Sequence, residues 1–160
     1  MYWAASPALP MLDLRVDWDA GSRRDPAAKA GLASATAAMM DKGVLASRAG
    51  PALDENGLSQ AWADLGAQFS LDTDADSLSM SLRSLTDPEL LGPSIALAGR
   101  ILATPSWPQA VWRRERERWL AAIKEADTQP DTHADRAFDK AVYGSHPYGY
   151  EPSAQTLAAI

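Results

Sequence analysis

Met11-Leu12-Asp13-Leu14-Arg15-Val16-Asp17-Trp18-Asp19-Ala20 alternates without a break, with Leu12, Leu14, Val16, Trp18 and Ala20 on one side and Asp13, Arg15, Asp17 and Asp19 on the other. A period of two marks a strand with one face on a core and the other in water. Gly21-Ser22-Arg23-Arg24-Asp25-Pro26 interrupts the pattern, and Ala27–Lys42, rich in good helix formers and closed by Gly43, reads as a helix. Strand, polar loop and helix therefore form the opening unit.

The remaining segments build on that unit. After a polar loop through Pro51, Asp54–Leu65 carries Leu58, Ala61, Trp62 and Leu65 at helical spacing and stops at Gly66. Ala67–Thr73 and Leu78–Leu85 are strand signals joined by the acidic turn Asp72-Thr73-Asp74-Ala75-Asp76, the second strand alternating Leu78, Met80 and Leu82 with serines and Arg83. Thr86-Asp87-Pro88-Glu89 opens a helix that ends near Thr104, Ser106-Trp107-Pro108 opens another, and Thr132–Tyr143 is the last, stopped by Gly144. The order β-α-α-β-β-α-α-α predicts an α+β fold: a two-layer α/β sandwich, its mostly antiparallel sheet covered by helices. Ser153–Ile160 reads as an element just beginning, so the expectation is a single, incomplete domain over residues 1–160.

Composition narrows the function classes. No apolar stretch approaches the ~20 residues of a membrane-spanning helix, and the net charge of −6 opposes binding to nucleic acid. With no Cys and two His, disulfides, thiolate nucleophiles and sulfur-rich metal cages are excluded and imidazole chemistry is poorly supplied. Met1-Tyr2-Trp3 lacks the basic start of a secretory signal, and the absence of Cys is compatible with cytoplasm or periplasm, so the compartment stays open.

Few residues stand out as chemistry. Ser34, Ala37 and Ala38 share one helical face, which by itself indicates close packing. His133 and His146 read as structural histidines, the latter within the turn His146-Pro147-Tyr148-Gly149. Arg113–Arg118 is interrupted by Glu115 and Glu117 and reads as a solvated helix face behind Trp112, Trp119, Leu120 and Ile123. Trp18, Trp62, Trp112 and Trp119 are expected in the core, Trp3 and Trp107 near loops on a contact surface.

In order and spacing, several segments resemble the insulinase-like, or pitrilysin (M16), zinc peptidases from about Pro10 to Pro152. They are Asp19–Pro26, Gly31-Leu32-Ala33, Met39-Met40-Asp41-Lys42-Gly43, Leu65-Gly66-Ala67, Ile101–Trp107, Arg114–Ile123 and Tyr143–Gly149. The resemblance implies a metalloprotease (LuxS/M16)-like fold. Active members carry His-x-x-Glu-His directly after the Gly-Leu-Ala. Residue by residue, Ser34, Ala37 and Ala38 take the places of the two histidines and the glutamate between them, and Ala122 takes that of the third ligand, a glutamate, with Glu117 and Glu125 flanking it. Neither a serine nor alanines hold zinc or deprotonate its water.

The resemblance therefore implies no catalytic residues and no metal or cofactor in this chain, with zinc expected only in an active partner. It implies the metal-free half of a two-part proteolytic chamber, supporting an active M16-type zinc peptidase subunit or half. Gln68, Phe69, Ser70, Leu71, Asp72 and Thr73 match the sheet edge to which a peptide substrate adds as a strand. A structural subunit of the respiratory-core type and a free peptide-binding module are the alternatives, with an active peptidase using a displaced site as a third. A missing neighbouring strand would leave an unpaired edge, so self-association is a further expectation.

Overall fold

The computed structural model describes every residue except Met1, Trp3, Ser6 and Pro7; the expected contact role of Trp3 lies outside the described residues. Strand β1 (Met11–Trp18) runs antiparallel to β5 (Leu78–Leu85), and β5 runs antiparallel to β4 (Gln68–Thr73), giving the order β1-β5-β4. Their register explains the alternation. Val16, Met80 and Leu71 line up across one face, as do Leu14, Leu82 and Phe69, while Asp13, Arg83 and Gln68 line up across the other.

Helices α2 (Glu55–Leu65) and α3 (Pro88–Ala103) cover the apolar face. Leu58, Leu97 and Ile101 join Met40 and Val44 in one buried cluster, and Ala98 joins Ala67, Met80 and Leu82 in the next. Both helices begin on an aspartate: Asp54 accepts the Gly57 N–H at 2.8 Å and Asp87 accepts the Glu89 N–H at 2.9 Å, satisfying amides that have no partner within the helix. The α+β class and the antiparallel sheet under helices are as expected.

Four features differ from the sequence reading. The helix expected over Ala27–Lys42 is a short 3-10 turn at Ala27–Lys29 followed by α1 (Leu32–Met40), because Gly31 adopts φ 98° and breaks the run. A ribbon of β2 (Gly43–Val44) and β3 (Leu53–Asp54) brackets the segment read as loop and takes in the Gly43 helix stop and the Asp54 helix start; two-residue strands are too short to show a period. Trp18 is not core but 36% exposed, since β1 is a sheet edge and the helices cover only its inner part. Trp62 is half-buried and stacks on Phe69 with ring centroids 5.2 Å apart, and Trp112 and Trp119 are also half-buried.

The fourth concerns α4 (Gln109–Ala126), whose charged run is not wholly solvated: Glu115 is only 5% exposed. Arg114 approaches its carboxylate at 3.0 Å and Arg118 at 2.6 Å, so the buried charge is compensated within the helix itself. Trp107, just before α4, is exposed as expected and has a positive φ of 49°.

The chain ends in α5 (Pro130–Tyr143) and α6 (Ala154–Ala158). Helix α5 is inverted. Thr132, Arg136 and Asp139 are its partly buried side, whereas Ala134, Phe138, Ala141 and Val142 face solvent, Phe138 being 65% exposed. Arg136 anchors it through ion pairs to Asp127 and to Glu151, the latter at 2.7 Å. No helix among the described residues is long and apolar enough to cross a membrane.

Candidate functional site

The site is built around the start of α1. Asp25, almost fully buried, accepts the Gly31 N–H at 2.9 Å and the Ala33 N–H at 3.0 Å, satisfying two amides at the head of the helix. Gly31 is required here for two reasons: its φ lies in the left-handed region, and a Cβ would stand 3.2 Å from the Pro152 ring. This turn directs Ser34 toward the end of β4, where its Oγ lies 3.1 Å from Thr73 Oγ1. Ala37 is buried and Ala38 partly buried on the same helix.

Helix α4 supplies the opposite wall. Ala122, Trp119 and Ile123 join Gly31, Ser34, Pro152 and Leu157 around a cavity of about 270 Å³. Two of the four positions read from the sequence, Ser34 and Ala122, thus meet across one space, although they are far apart in the chain. Ala37 and Ala38 do not line it, and neither do Glu117 and Glu125, which are exposed elsewhere on α4.

Zinc does not fit these residues. The lining has no imidazole, thiolate or carboxylate, and among the described residues no three His, Asp or Glu side chains converge as a metal site. The histidines are engaged locally: His133 Nε2–H donates to the Asp127 carbonyl at 2.8 Å, and His146 Nδ1 accepts the Tyr148 N–H at 3.2 Å, capping the turn Pro147–Gly149. The structural reading of His146 is therefore the observed one.

Next to the cavity, β4 pairs with β5 along one side and with no strand on the other among the described residues. All six candidates from Gln68 to Thr73 lie in this strand, with Gln68, Ser70 and Asp72 exposed and Phe69, Leu71 and Thr73 partly buried toward the helices. The Ser70 hydroxyl donates to Asp72 at 3.0 Å.

The turn that follows β4 is tied down by contacts the sequence did not reveal. Tyr148 donates its hydroxyl to Asp76 at 2.7 Å, and Arg23 reaches the same carboxylate at 3.2 Å. The hydrogen bond to Asp76 holds the Tyr148 phenol above its ordinary pKa. Asp19, beside the end of β1, is bracketed by Arg24 and Arg23, whose hydrogen bonds lower its pKa from 3.8 to about 2. Gly21 passes so close to this turn that a Cβ would meet the Asp76 backbone at 2.4 Å. The contacts of Tyr148, Arg23 and Gly21 with Asp76 join residues more than 50 positions apart, beyond any local spacing signal. The buried Glu115 was also missed, although Arg114 and Arg118 at flanking positions were its visible sign.

No family model matches the sequence, and no curated protein matches it. Solved structures do. The chain is 30% identical to an inactive domain of peptidase M16 from Pseudomonas fluorescens, with a TM-score of 0.87 over 96% of this chain and 36% of that one. The periplasmic protease PqqL from Escherichia coli has the same fold at 17% identity and a TM-score of 0.77, over 97% of this chain and 16% of that one. Pitrilysin has it at 20% identity and a TM-score of 0.67, over 94% of this chain and 16% of that one. The chain therefore has the fold of an M16 peptidase domain, as its segments suggested. Its likeness to the inactive M16 domain rests on both fold and sequence, and the chain spans about a third of that protein's length.

Proposed function

We propose that this chain is a catalytically silent M16-type domain, the metal-free wall of a proteolytic chamber that supports an active zinc peptidase partner or half. The observation that carries this reading is the meeting of Ser34 and Ala122 across an apolar cavity beside the free edge of β4. Where an active member places imidazoles and a carboxylate, this chain has a hydroxyl and methyl groups, while the sheet edge that receives peptide is retained. Ser34, Ala37, Ala38 and Ala122 thus stand in place of the catalytic and zinc-binding set, and Gln68–Thr73 remain as the peptide-pairing strand.

The test uses the full-length protein supplied with zinc. Alone it cleaves no peptide; together with a His-x-x-Glu-His protein recovered from its native extract it supports chelator-sensitive cleavage. Chelator-sensitive cleavage by the purified protein alone overturns the reading. Stable assembly without any effect on proteolysis favours a structural subunit instead.

A further inference from the structure

The cavity behind Ser34 is open to one specific kind of peptide. We infer that it is a side-chain subsite for a bulky apolar residue of an extended peptide paired along β4, and that the residues next to it in that peptide are basic. This rests on the proposal that β4 receives peptide, and adds what that peptide must look like.

The apolar preference follows from the walls. Trp119, Ile123, Leu157 and Pro152 surround about 270 Å³, and the Ser34 hydroxyl and the Trp119 indole N–H are the polar side-chain groups among the lining residues, with no charged one. The Ser34 hydroxyl is engaged with Thr73, and the rest of the wall is apolar apart from the indole edge. Such a space rewards a leucine, methionine or phenylalanine side chain and penalises a charged one.

The position follows from the strand. Thr73 lies on the face of β4 that carries Phe69 and Leu71 toward the helices, and its Oγ1 touches Ser34 at the rim of the cavity. In a strand added to β4, the residue beside Thr73 points to that same face, because side chains alternate with a period of two. It therefore enters the cavity, and its immediate neighbours point to the opposite face, beside Asp72.

Charge sets the neighbours. Asp72 is exposed, and among the described residues no Lys or Arg forms an ion pair with it. Asp74, in the turn just beyond, is also exposed and uses its carboxylate on the Asp76 and Ser77 amides. Asp72 in the edge strand and Asp74 just past its end favour Lys or Arg on either side of the apolar residue, and opposite charges paired across strands are stabilising.

The experiment measures fluorescence anisotropy of the full chain with a labelled, end-blocked peptide Thr-Val-Lys-Leu-Lys-Val-Thr. Two companions carry Ala for the central Leu, or Glu for both Lys. The Leu peptide is expected to bind about tenfold tighter than the Ala peptide, the order set by burying part of three methylene-sized groups. Ala122→Leu, which fills the cavity, reduces the Leu peptide to the affinity of the Ala peptide. Asp72→Lys, at an exposed site, reverses the preference between the Lys and Glu peptides. Equal binding of the Leu and Ala peptides to the wild type overturns the subsite while leaving peptide pairing on β4 intact. Binding of none of them removes the pairing and the subsite with it.

Discussion

Ser34 and Thr73 share a 3.1 Å hydrogen bond between hydroxyls, and through it the first turn of α1 is fixed against the last residue of the sheet's free edge. A small polar side chain thus does on this helix what packing does elsewhere, and leaves an open space behind it. The bond sets the spacing between β4 and the cavity, the distance on which the proposed function depends.

Installing the M16 ligand types at Ser34, Ala38 and Ala122 tests whether these positions have been assigned correctly. The triple variant Ser34→His, Ala38→His, Ala122→Glu places two imidazoles one helical turn apart and a carboxylate from α4. It is expected to retain one zinc per chain through gel filtration, by elemental analysis, where the wild type retains none. A well-folded triple variant without zinc would mean that α1 and α4 are matched in the wrong register.

The head of α1 is expected to be a weak point for stability. Asp25→Ala leaves the Gly31 and Ala33 amides without their acceptor and should cost about 1–3 kcal/mol. Gly31→Ala forces a left-handed φ on a residue with a Cβ 3.2 Å from Pro152 and should cost about 1–3 kcal/mol. Urea denaturation of each variant beside Ala33→Gly, a change that keeps the backbone N–H, checks both values.

Acid should loosen the corner formed by Asp19. Its pKa is lowered from 3.8 to about 2 by the hydrogen bonds of Arg24 and Arg23, so its contribution is present above 3.8 and is lost as pH falls toward 2. Asp19→Asn should therefore be less stable than wild type at neutral pH, and the gap should close between pH 4 and 2. Urea midpoints measured across that range report it. A gap independent of pH would rule out the ion pairs as its source.

Helix α5 offers a reversal of the usual mutational pattern. Phe138→Ser, at an exposed apolar site, should change stability by no more than about 0.5 kcal/mol. Arg136→Met removes the ion pairs to Asp127 and Glu151 and should release the helix. Amide exchange along Pro130–Tyr143 distinguishes the two, with faster exchange expected only in the second variant.

The parts of the fold legible in the sequence were those with a long, clean period. Met11–Trp18 alternates over the whole strand and Leu78–Arg83 over most of β5, and Asp54 and Asp87 announce their helices by type. The break at Gly31 was hidden because alanine-rich sequence surrounds it and the buried carboxylate that holds the turn is six residues earlier. Trp18 misled for a different reason: alternation tells which face a residue takes, but not whether a helix reaches far enough to cover it. For the candidate site, helix-forming composition placed Ser34 on a helix, and a strand signal covered Gln68–Thr73. Ala122 was linked to Ser34 in the sequence only through the resemblance to M16 peptidases, since nothing local joins them, and the packing of α4 brings the two to one cavity.

The strand order also dictates when each part of the sheet is made. β4 and β5 are joined by a four-residue turn and close on themselves early, whereas β1 finds β5 only after Asp19–Ser77 has been gathered into a loop. Closing so long a loop carries an entropy cost that a hairpin does not. The hairpin is therefore expected to be formed in the folding transition state and β1 to dock afterwards. Substitutions at Val16 should speed unfolding while leaving the folding rate nearly unchanged, and substitutions at Leu71 should slow folding. The unpaired edge of β4 then belongs to the part of the sheet that matures first.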